Sequence, residues 1–324
     1  ARCSLVASLN PNDTYPALLL GGHIDTVKEG NTPWQHAPLS GNIIDAKLYG
    51  RGSCDMKGGI AALLCAAVHM APRLGKRNLL LHLYGGEEEG CRGSFHVMRT
   101  PALFRNTGAI VIAEPSGCIP LVGHKGALWM TLKTQGKTAH AAMPEQGSSA
   151  LKRLLPAASR LLSFHPEAHH PWLGACTSVL STLHSGLNSN SVPDLATMTL
   201  DIRTVPGQDH NDLRSEILSL AGPEVTVETT LDIPPVWTDP DHPWIRRLLD
   251  RFALERGERP HVGTVQFFTD AAALRTVLPD TPILILGPGD PMLAHQTDEF
   301  CELTQLQLAQ SYYEIIIRDW YSLN

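Results

Sequence analysis

The sequence predicts an α/β protein whose chain is interrupted by a second domain of βαββαβ order. Continuous apolar runs bounded by glycine, such as Ala17–Leu20 and Ala109–Ala113, are typical of strands that are covered on both faces, and helical stretches separate such runs along the chain. Between Ala127 and Asp232 the order of elements changes to strand, helix, strand, strand, helix, strand. We therefore expect a first domain in two parts and an inserted second domain, with boundaries at residues 1–123, 234–324 and 124–233.

The composition excludes several classes of protein. The 324 residues suffice for one large or two ordinary domains, and a net charge of −6 with 43% apolar residues is typical of a soluble globular protein. The sequence has no basic run, which argues against a nucleic-acid partner. It also has no apolar stretch of the roughly 18 residues that span a membrane and no signal-peptide pattern at its start. The seven cysteines are scattered and never form a CxxC pair, which argues against disulfides and a thiolate zinc site, so we expect a cytoplasmic protein.

The first strand-like runs lead to a His and an Asp that suit a metal site. Residues Ala1–Val6 and Ala17–Leu20 predict strands, and the second run continues into His23 and Asp25. In an extended backbone these two side chains point to the same side. His23 can therefore bind a metal ion while the Asp25 carboxylate accepts the other ring N–H, an arrangement that fixes the histidine tautomer.

A glycine-rich segment, Gly50–Gly59, contains Asp55 and precedes a predicted buried helix, Ile60–Met70. An Asp at the start of a helix most often caps its N-terminus. A glycine-flanked Asp at the edge of a buried helix is equally suited to bridge two metal ions, because glycine lets the backbone approach closely. The sequence around Asp55 leaves both interpretations open.

Three consecutive carboxylates, Glu87, Glu88 and Glu89, follow the predicted strand Asn78–Tyr84. A solvated acidic turn would explain such a triplet, since charged groups normally remain in water. A bound cation would also explain it. The local sequence does not decide between the two.

Other predicted strands also end near potential metal ligands, which favours the cation. The run Ala109–Ala113 ends at Glu114, and Pro282–Leu286 is followed by His295. In open α/β sheets, ligands bind beyond the carboxyl ends of the strands. We therefore expect one site that combines these residues with His23 and the glutamates.

The inserted domain and the return of the chain complete the predicted order of elements. The insert is expected to be ferredoxin-like. Its strands are predicted at Ala127–Thr134, Thr177–His184, Ala196–Thr204 and Val225–Leu231, and its helices at Ser148–Phe164 and Asp209–Leu220. The first domain then resumes with a helix at Pro243–Glu255, a strand near His261–Gln266, a short helix after Asp270, a strand at Pro282–Leu286 and a last helix at Glu299–Trp320.

Eight short motifs follow one another over nearly the whole chain, namely Gly22–Val27, Tyr49–Gly59, Glu87–Gly90, Glu114-Pro115-Ser116, Gly136–His140, Asn190–Pro193, Asp201-Ile202-Arg203 and Ala294-His295. In these motifs and their order the sequence resembles the dinuclear zinc aminoacylase/carboxypeptidase family, which includes acetylornithine deacetylase, succinyl-diaminopimelate desuccinylase and glutamate carboxypeptidase. The resemblance implies a zinc-peptidase-like catalytic domain with a mixed sheet. It also implies that the insert is a lid and dimerisation domain.

The resemblance implies a ligand set for two Zn²⁺ ions per chain, with Co²⁺ or Mn²⁺ as substitutes. One zinc would be bound by His23, Asp55 and Glu114. The other would be bound by Asp55, Glu88 and His295, so that Asp55 bridges the two. A set of nitrogen and oxygen ligands with open positions suits a catalytic zinc.

Further residues receive roles from the same resemblance. Glu87 is implied as the general base, and Asp25 as the residue that orients the metal-binding histidine. In the lid, His140 is implied to reach the active site of the partner subunit in a homodimer and to stabilise the oxyanion there. Arg203 and Asn190 are implied to bind a carboxylate of the substrate, a role that suits the planar fork of donors in Arg.

The sequence departs from the family pattern at two places. The family usually has Asp before the paired glutamates, where this chain has Gly86. A register shifted by one residue would make Glu88 the base and Glu89 the ligand, whereas the glycines that follow favour Glu87 and Glu88. The N-terminal helix and first strand of the family are also largely missing.

The implied activity is metal-dependent hydrolysis of the amide bond in a small N-acyl amino acid that carries a free carboxylate. A carboxypeptidase or dipeptidase is the alternative with the same chemistry, and Glu114 favours both over the aminopeptidases of the family, which tend to have Asp there. An inactive relative that only binds a ligand is the alternative of another class. The presence of Glu87 together with all five metal ligands argues against it. The sequence predicts neither the acyl group nor the amino acid.

Overall fold

The described residues, 3–12 and 14–322 of a computed structural model, fall into two units. One unit contains the described residues up to His124 and from Val236 onward, and the other is Lys125–Pro235. The domain boundaries expected from the sequence lie within two residues of these. Of the predicted first strand, Ala1 and Arg2 lie outside the described residues.

The elements are numbered along the chain. The strands are β1 Leu5–Leu9, β2 Ala17–His23, β3 Ile43–Ile44, β4 Lys47–Tyr49, β5 Leu79–Tyr84, β6 Thr107–Ile112, β7 Leu121–His124, β8 Gly126–Gln135, β9 His169–His170, β10 Gly174–Ala175, β11 Thr177–Ser185, β12 Leu195–Thr204, β13 Thr226–Ile233, β14 Val236–Trp237, β15 Gly263–Val265, β16 Ile283–Ile285 and β17 Phe300–Glu302. The α-helices are α1 Lys57–Met70, α2 Arg92–Val97, α3 Ala150–Leu162, α4 His210–Ala221, α5 Pro243–Arg256, α6 Ala271–Val277 and α7 Leu303–Tyr321.

The first unit is built on a mixed sheet with the strand order β1-β5-β2-β6-β16-β7-β14, and β15 also pairs with β7. The central strands β5, β2, β6 and β16 are neighbours that run parallel to one another. Strands β1 and β14 run antiparallel to their neighbours at the two ends. The prediction of an α/β domain is confirmed, and its sheet is mixed as expected.

The parallel strands lie inside the first unit because their sequences are apolar. Every residue of β2 is buried, as expected for a strand covered on both faces. Helices α1, α5 and α7 share one continuous apolar core with this sheet, in which Leu63, Phe252 and Ile316 are fully buried. This packing holds the carboxyl ends of the four parallel strands at one edge of the sheet.

The second unit has the element order βαββαβ, formed by β8, α3, β11, β12, α4 and β13. Its antiparallel sheet has the strand order β11-β12-β8-β13. Exposure alternates along β12, where Ala196, Met198, Leu200 and Ile202 are buried in a core that includes residues of α3 and α4. Within the described ranges of both units, every helix is too short or too polar to span a membrane.

The start of the last helix differs from the prediction. The helix expected from Glu299 begins at Leu303, and Phe300–Glu302 instead form β17, which pairs with β4. The prediction was wrong because long-range contacts fix this segment, including a buried ion pair between Glu299 and Arg51. The sequence also predicts none of the elements β3, β4, β7, β14 and α2, which span only two to six residues.

Candidate metal centre

Neighbouring parallel strands end near the residues that were expected to bind metal ions. His23 is the last residue of β2, and Glu114 closely follows β6. Glu88 follows β5, and His295 follows β16 after a longer loop. Asp55 joins them from the segment that precedes α1. Because parallel neighbours end at the same edge of a sheet, the topology explains why these residues meet.

Two groups of possible metal ligands share Asp55. In the first group, Nε2 of His23 lies 3.0 Å from Oδ1 of Asp55 and 3.8 Å from Oε1 of Glu114. In the second group, Nε2 of His295 lies 3.2 Å from Oδ2 of Asp55 and 3.1 Å from Oε2 of Glu88. Within each group, the ligand atoms all lie within 4.8 Å of one another. Asp55 therefore presents one carboxylate oxygen to each group.

The geometry excludes a capping role for Asp55. Helix α1 begins after Met56, and no side chain caps its N-terminus. The Asp55–Met56 peptide bond is cis. Both oxygens of the Asp55 carboxylate instead face histidine rings, so the N-cap interpretation of this residue is wrong.

Asp25 fixes the site in a different way from the one expected. Nδ1 of His23 lies 3.0 Å from the main-chain oxygen of Asp25 and 3.7 Å from its carboxylate. The expectation that the carboxylate accepts this ring N–H is therefore wrong, because the main-chain oxygen is the closer acceptor. The carboxylate accepts hydrogen bonds from the N–H groups of Gly86, Glu87 and Glu88, at 2.7, 3.2 and 3.3 Å. Asp25 is thus hydrogen-bonded both to the histidine and to the glutamate loop.

The three consecutive glutamates have different environments. Glu87 is buried, and the Sγ of Cys91 lies 3.7 Å from its Oε1. Glu88 faces His295, as described above. Glu89 is exposed and lies 3.5 Å from Arg92. The register that pairs Glu87 with Glu88 therefore fits this geometry better than the register shifted by one residue.

Nearby charges and burial have opposite effects on the pKa of the two histidines. Burial lowers the pKa of His23, but the charge of Glu114 and the hydrogen bond to Asp55 raise it, and the net pKa is well above its ordinary value. The pKa of His295 is raised to about 10, because Asp55 and Glu88 accept hydrogen bonds from its ring. Nearby carboxylates therefore favour the positive form of both rings.

The site holds more carboxyl groups than basic side chains. Burial raises the pKa of Glu87 and of Glu114 well above their ordinary values, and the acidic groups around them add to this effect. Burial also raises the pKa of the Asp55 carboxyl, but the hydrogen bonds from the two histidines outweigh it, so its net pKa is lowered. Asp270 lies fully buried nearby, and burial raises its pKa to about 6. Two imidazole rings cannot balance this many acids.

The donor set fits divalent metal ions. Each group offers one imidazole nitrogen and carboxylate oxygens, which is a ligand set found in catalytic metal sites. Oε1 of Glu88 is buried and has no hydrogen-bond partner within the described structure. A buried carboxylate oxygen without a partner is costly unless a cation binds it, and bound cations would also offset the excess of acids.

Two residues near the site were not found from the sequence. Arg51 and Glu299 form a buried ion pair beside the segment that carries Asp55. The glycines around Arg51 indicated that the backbone is closely approached, but they did not indicate which residue pairs with Arg51. Glu299 gave no signal for such a contact, since the sequence around it predicts the start of the last helix.

Two of the three predicted residues of the second unit lie side by side. His140 pairs with Ser191 in an isolated bridge, and the N–H of Ala141 donates to the main-chain oxygen of Asn190 at 2.9 Å. The side chains of His140 and Asn190 are both exposed. His140 lies in the segment that follows β8, and Asn190 lies in the segment that precedes β12.

Arg203 lies at the opposite end of the same pair of strands. Leu195 of β12 pairs with Gln135, and Arg203 pairs with Ala127, eight residues farther along, which corresponds to about 26 Å. The Arg203 side chain forms an ion pair with Asp201 at 2.9 Å, as an ordinary surface arginine would. Within one chain, Arg203 is therefore not brought together with the loops of His140 and Asn190.

The model of peptidase family M20/M25/M40 matches residues 19–319. The chain belongs to this family. This M20 chain is 27% identical to a probable succinyl-diaminopimelate desuccinylase of Staphylococcus aureus (strain Mu50), over 97% of this chain and 87% of that protein. It is 29% identical to the acetylornithine deacetylase of Klebsiella pneumoniae (strain 342), over 88% of this chain and 75% of that protein.

The fold of this M20 chain also matches a solved structure. An M20 family metallo-carboxypeptidase from Sulfolobus solfataricus superimposes with a TM-score of 0.80 at 19% sequence identity, over 99% of this chain and 88% of that chain. The family relationship expected from the motifs is confirmed. The protein is accordingly a metal-dependent hydrolase that acts on amide bonds.

Proposed function

We propose that this protein is a zinc-dependent deacylase that removes the acyl group from a small N-acyl amino acid with a free carboxylate. The observation that carries the proposal is the pair of ligand groups that share Asp55, with the buried Glu87 beside them. Two relatives that align with most of this chain are named as deacylases of this kind.

The metal ions would be held by the residues already described. His23 and Glu114 would bind one Zn²⁺, Glu88 and His295 would bind the other, and Asp55 would bridge them. Zinc ions held by these residues would supply a Lewis acid for the amide carbonyl and would lower the pKa of water at the site from about 15.7 toward about 7. Co²⁺ and Mn²⁺ suit the same oxygen and nitrogen ligands.

Glu87 is the residue best placed to move the proton. It accepts a proton from the attacking water and returns it to the leaving amine, acting first as base and then as acid. Burial raises its pKa, which brings a carboxyl group closer to the pH at which such a residue works well. Asp25 holds the N–H groups of Glu87 and Glu88 and so keeps the base and the ligand in register.

The second unit is proposed to act as a ferredoxin-like lid and dimerisation domain. Arg203 would bind the substrate carboxylate, and His140 would stabilise the oxyanion, with Asn190 beside it. Arg203 lies about 26 Å along β12 from Leu195, and His140 and Asn190 lie beyond that end of the sheet, so we infer that one lid does not present all three to a small substrate. A homodimer in which His140 and Asn190 come from the partner subunit accounts for this separation.

One strand of the second unit suits such a dimer. Strand β11 is at the edge of the four-stranded sheet formed by the described residues. Its Val179 and Leu183 are 55% and 40% exposed. An exposed edge strand with apolar side chains is a ready template for pairing with another chain.

A carboxypeptidase or dipeptidase is the second candidate. The specific observation in its favour is the similarity of the fold to the M20 metallo-carboxypeptidase. The metal centre and the base would be the same, since both reactions hydrolyse an amide next to a carboxylate. Only the substrate distinguishes the two functions.

The test of the proposed base is the variant Glu87→Gln, with Glu89→Gln as the matched control. Loss of a general base costs about 10²- to 10⁴-fold in kcat, and we expect this loss for Glu87→Gln with unchanged metal content. Glu89 is exposed next to the site, so Glu89→Gln should keep wild-type activity. Full activity of Glu87→Gln would refute the assignment of the base, and a selective loss in Glu88→Gln without loss of metal would support the shifted register.

A further inference from the structure

A buried carboxylate outside both ligand groups binds the segment that carries Asp55. The side chain of Glu299 is fully buried. Its Oε1 accepts hydrogen bonds from the N–H groups of Gly52, Cys54 and Asp55, at 3.0, 2.8 and 3.0 Å. Three N–H groups of a buried loop thus converge on a single oxygen, and one of them belongs to the bridging residue itself.

The counter-charge of this carboxylate connects it to His295. Nη1 of Arg51 lies 2.6 Å from Oε2 of Glu299, and the Arg51 side chain is 3% exposed. Nη2 of Arg51 donates to the main-chain oxygen of His295 at 3.3 Å. Its guanidinium also lies over the ring of Trp34, 5.1 Å from the ring centroid. The ion pair therefore contacts the backbone of two residues of the second ligand group.

We propose that the Arg51–Glu299 ion pair positions Asp55 and His295 for metal binding. The inference rests on the proposed function, because it assigns these two residues to the metal centre. Glu299 and Arg51 are positioning residues and would touch neither metal nor substrate. Glu299 sets the backbone from which the Asp55 carboxylate projects, and Arg51 holds the His295 backbone in its left-handed conformation, with φ at +65°.

A purely structural role would not account for where these bonds lie. A buried ion pair adds little net stability, because removing both charges from water offsets their attraction. Here the bonds are directed at the backbone of the loops that carry ligands, where the three N–H groups would otherwise be buried without partners. His23 and Glu114 receive no such bond from the pair, so its loss should weaken the second ligand group more than the first.

The test is a titration of metal-free protein with Co²⁺ alone, followed by the visible absorption of the bound ion. Glu299→Ala should bind the more weakly held Co²⁺ about 10- to 100-fold less tightly than wild type, the usual cost of removing a residue that orients a metal ligand. Its absorption spectrum should also change, since the geometry of the ligands changes. Glu299→Gln keeps one acceptor oxygen for the three N–H groups and should lose less.

The matched control is Asp319→Asn. Asp319 is likewise buried and paired with an arginine of the same unit, at 2.9 Å from Arg247, but it contacts neither ligand loop. This variant should lower the unfolding temperature of the metal-free protein and leave the Co²⁺ affinity and spectrum unchanged. Comparing it with Glu299→Ala separates positioning from general destabilisation.

A double variant keeps the inference testable if Glu299→Ala does not fold. Arg51→Met/Glu299→Leu replaces both charges by apolar groups of similar size, a change that buried ion pairs often tolerate. It should fold and show the same loss of Co²⁺ affinity. Wild-type affinity and spectrum in folded Glu299→Ala, or in the folded double variant, would overturn the inference and leave the proposed function intact. Failure of the wild-type protein to bind Co²⁺ would overturn both, beginning with the metal centre.

Discussion

The carboxylate of Asp25 accepts a 2.7 Å hydrogen bond from the N–H of Gly86 and so joins the end of β2 to the loop after β5. Two more N–H groups, those of Glu87 and Glu88, donate to the same carboxylate. The loop with the proposed base and a proposed metal ligand is therefore fixed by one side chain from the neighbouring strand. This contact explains how like charges are held close together at the sheet edge.

Asp25→Asn should impair catalysis without unfolding the protein. The amide replaces one acceptor oxygen by a donor that faces backbone N–H groups, so the glutamate loop should shift. We expect kcat/KM to fall by about 10- to 100-fold, as for other residues that orient metal ligands. Asp45→Asn, at an exposed position between β3 and β4, is the control and should behave as wild type. Unchanged kinetics in Asp25→Asn would show that the loop does not depend on this carboxylate.

Gly59→Ala should disrupt the contact between α1 and the segment that presents Glu114. A Cβ at Gly59 would lie 2.1 Å from the main-chain oxygen of Ala113, which cannot move without moving the strand end. Overpacking of this kind costs about 1–3 kcal/mol, and urea unfolding should detect it together with weaker metal binding. Ala61→Ser, at an exposed position of the same helix, should change neither quantity. Normal stability and metal binding in Gly59→Ala would mean that the helix can shift freely.

His82 should make the protein sensitive to mild acid. It is fully buried, its Nε2–H donates to the oxygen of Leu103, and its Nδ1 faces the hydroxyl of Tyr84. Burial lowers its pKa from 6.5 to about 4. Below pH 6.5 the unfolded chain therefore binds a proton that the folded protein excludes. The free energy of unfolding therefore decreases by up to about 3 kcal/mol as the pH falls from 6.5 toward 4.

The measurement for His82 is the free energy of unfolding of metal-free protein at a series of pH values. His82→Gln retains an acceptor for Tyr84 and a donor for Leu103 but does not titrate. The difference in stability between wild type and this variant should change steadily between pH 6.5 and 4 and stay constant above pH 7. A difference that does not depend on pH would show that His82 keeps an ordinary pKa in the folded protein.

The position of the site was predictable because it depends on strand order. Apolar runs identified β2, β5 and β6, and each ended near a possible ligand, so one convergent site was the simplest explanation. The sequence predicted the wrong acceptor atom of Asp25 for the His23 ring, the carboxylate instead of the main-chain oxygen. That choice depends on how the chain turns after β2, which no local pattern specifies.

The ion pair beside the proposed metal centre was not predictable. Glu299 and Arg51 are 248 residues apart, and each sits in a segment with another plausible local interpretation. Glu299 was assigned to a helix that in fact begins at Leu303. Their pairing arises only when β17 adds to β4, a contact between short strands with no strong sequence signal.

A mixture of two inactive variants should regain activity if the active site is shared between subunits. Glu87→Ala and His140→Ala each remove one group from every site of a homodimer. In a mixed dimer, one of the two sites combines an intact Glu87 with an intact His140 of the partner subunit. Random exchange should restore about a quarter of wild-type activity. No recovery in dimers shown to have exchanged would argue that His140 acts within its own chain or not at all.

The most direct test of the proposed function measures bound metal and hydrolysis in the same preparation. Zinc per chain would be quantified, and N-acetyl, N-succinyl and N-formyl amino acids and short dipeptides would be compared with and without chelator. We predict about two zinc ions per chain and release of the amine from one class of N-acyl amino acid, which chelator abolishes. A fully metallated protein that hydrolyses only dipeptides, or turnover that persists without metal, would contradict the account.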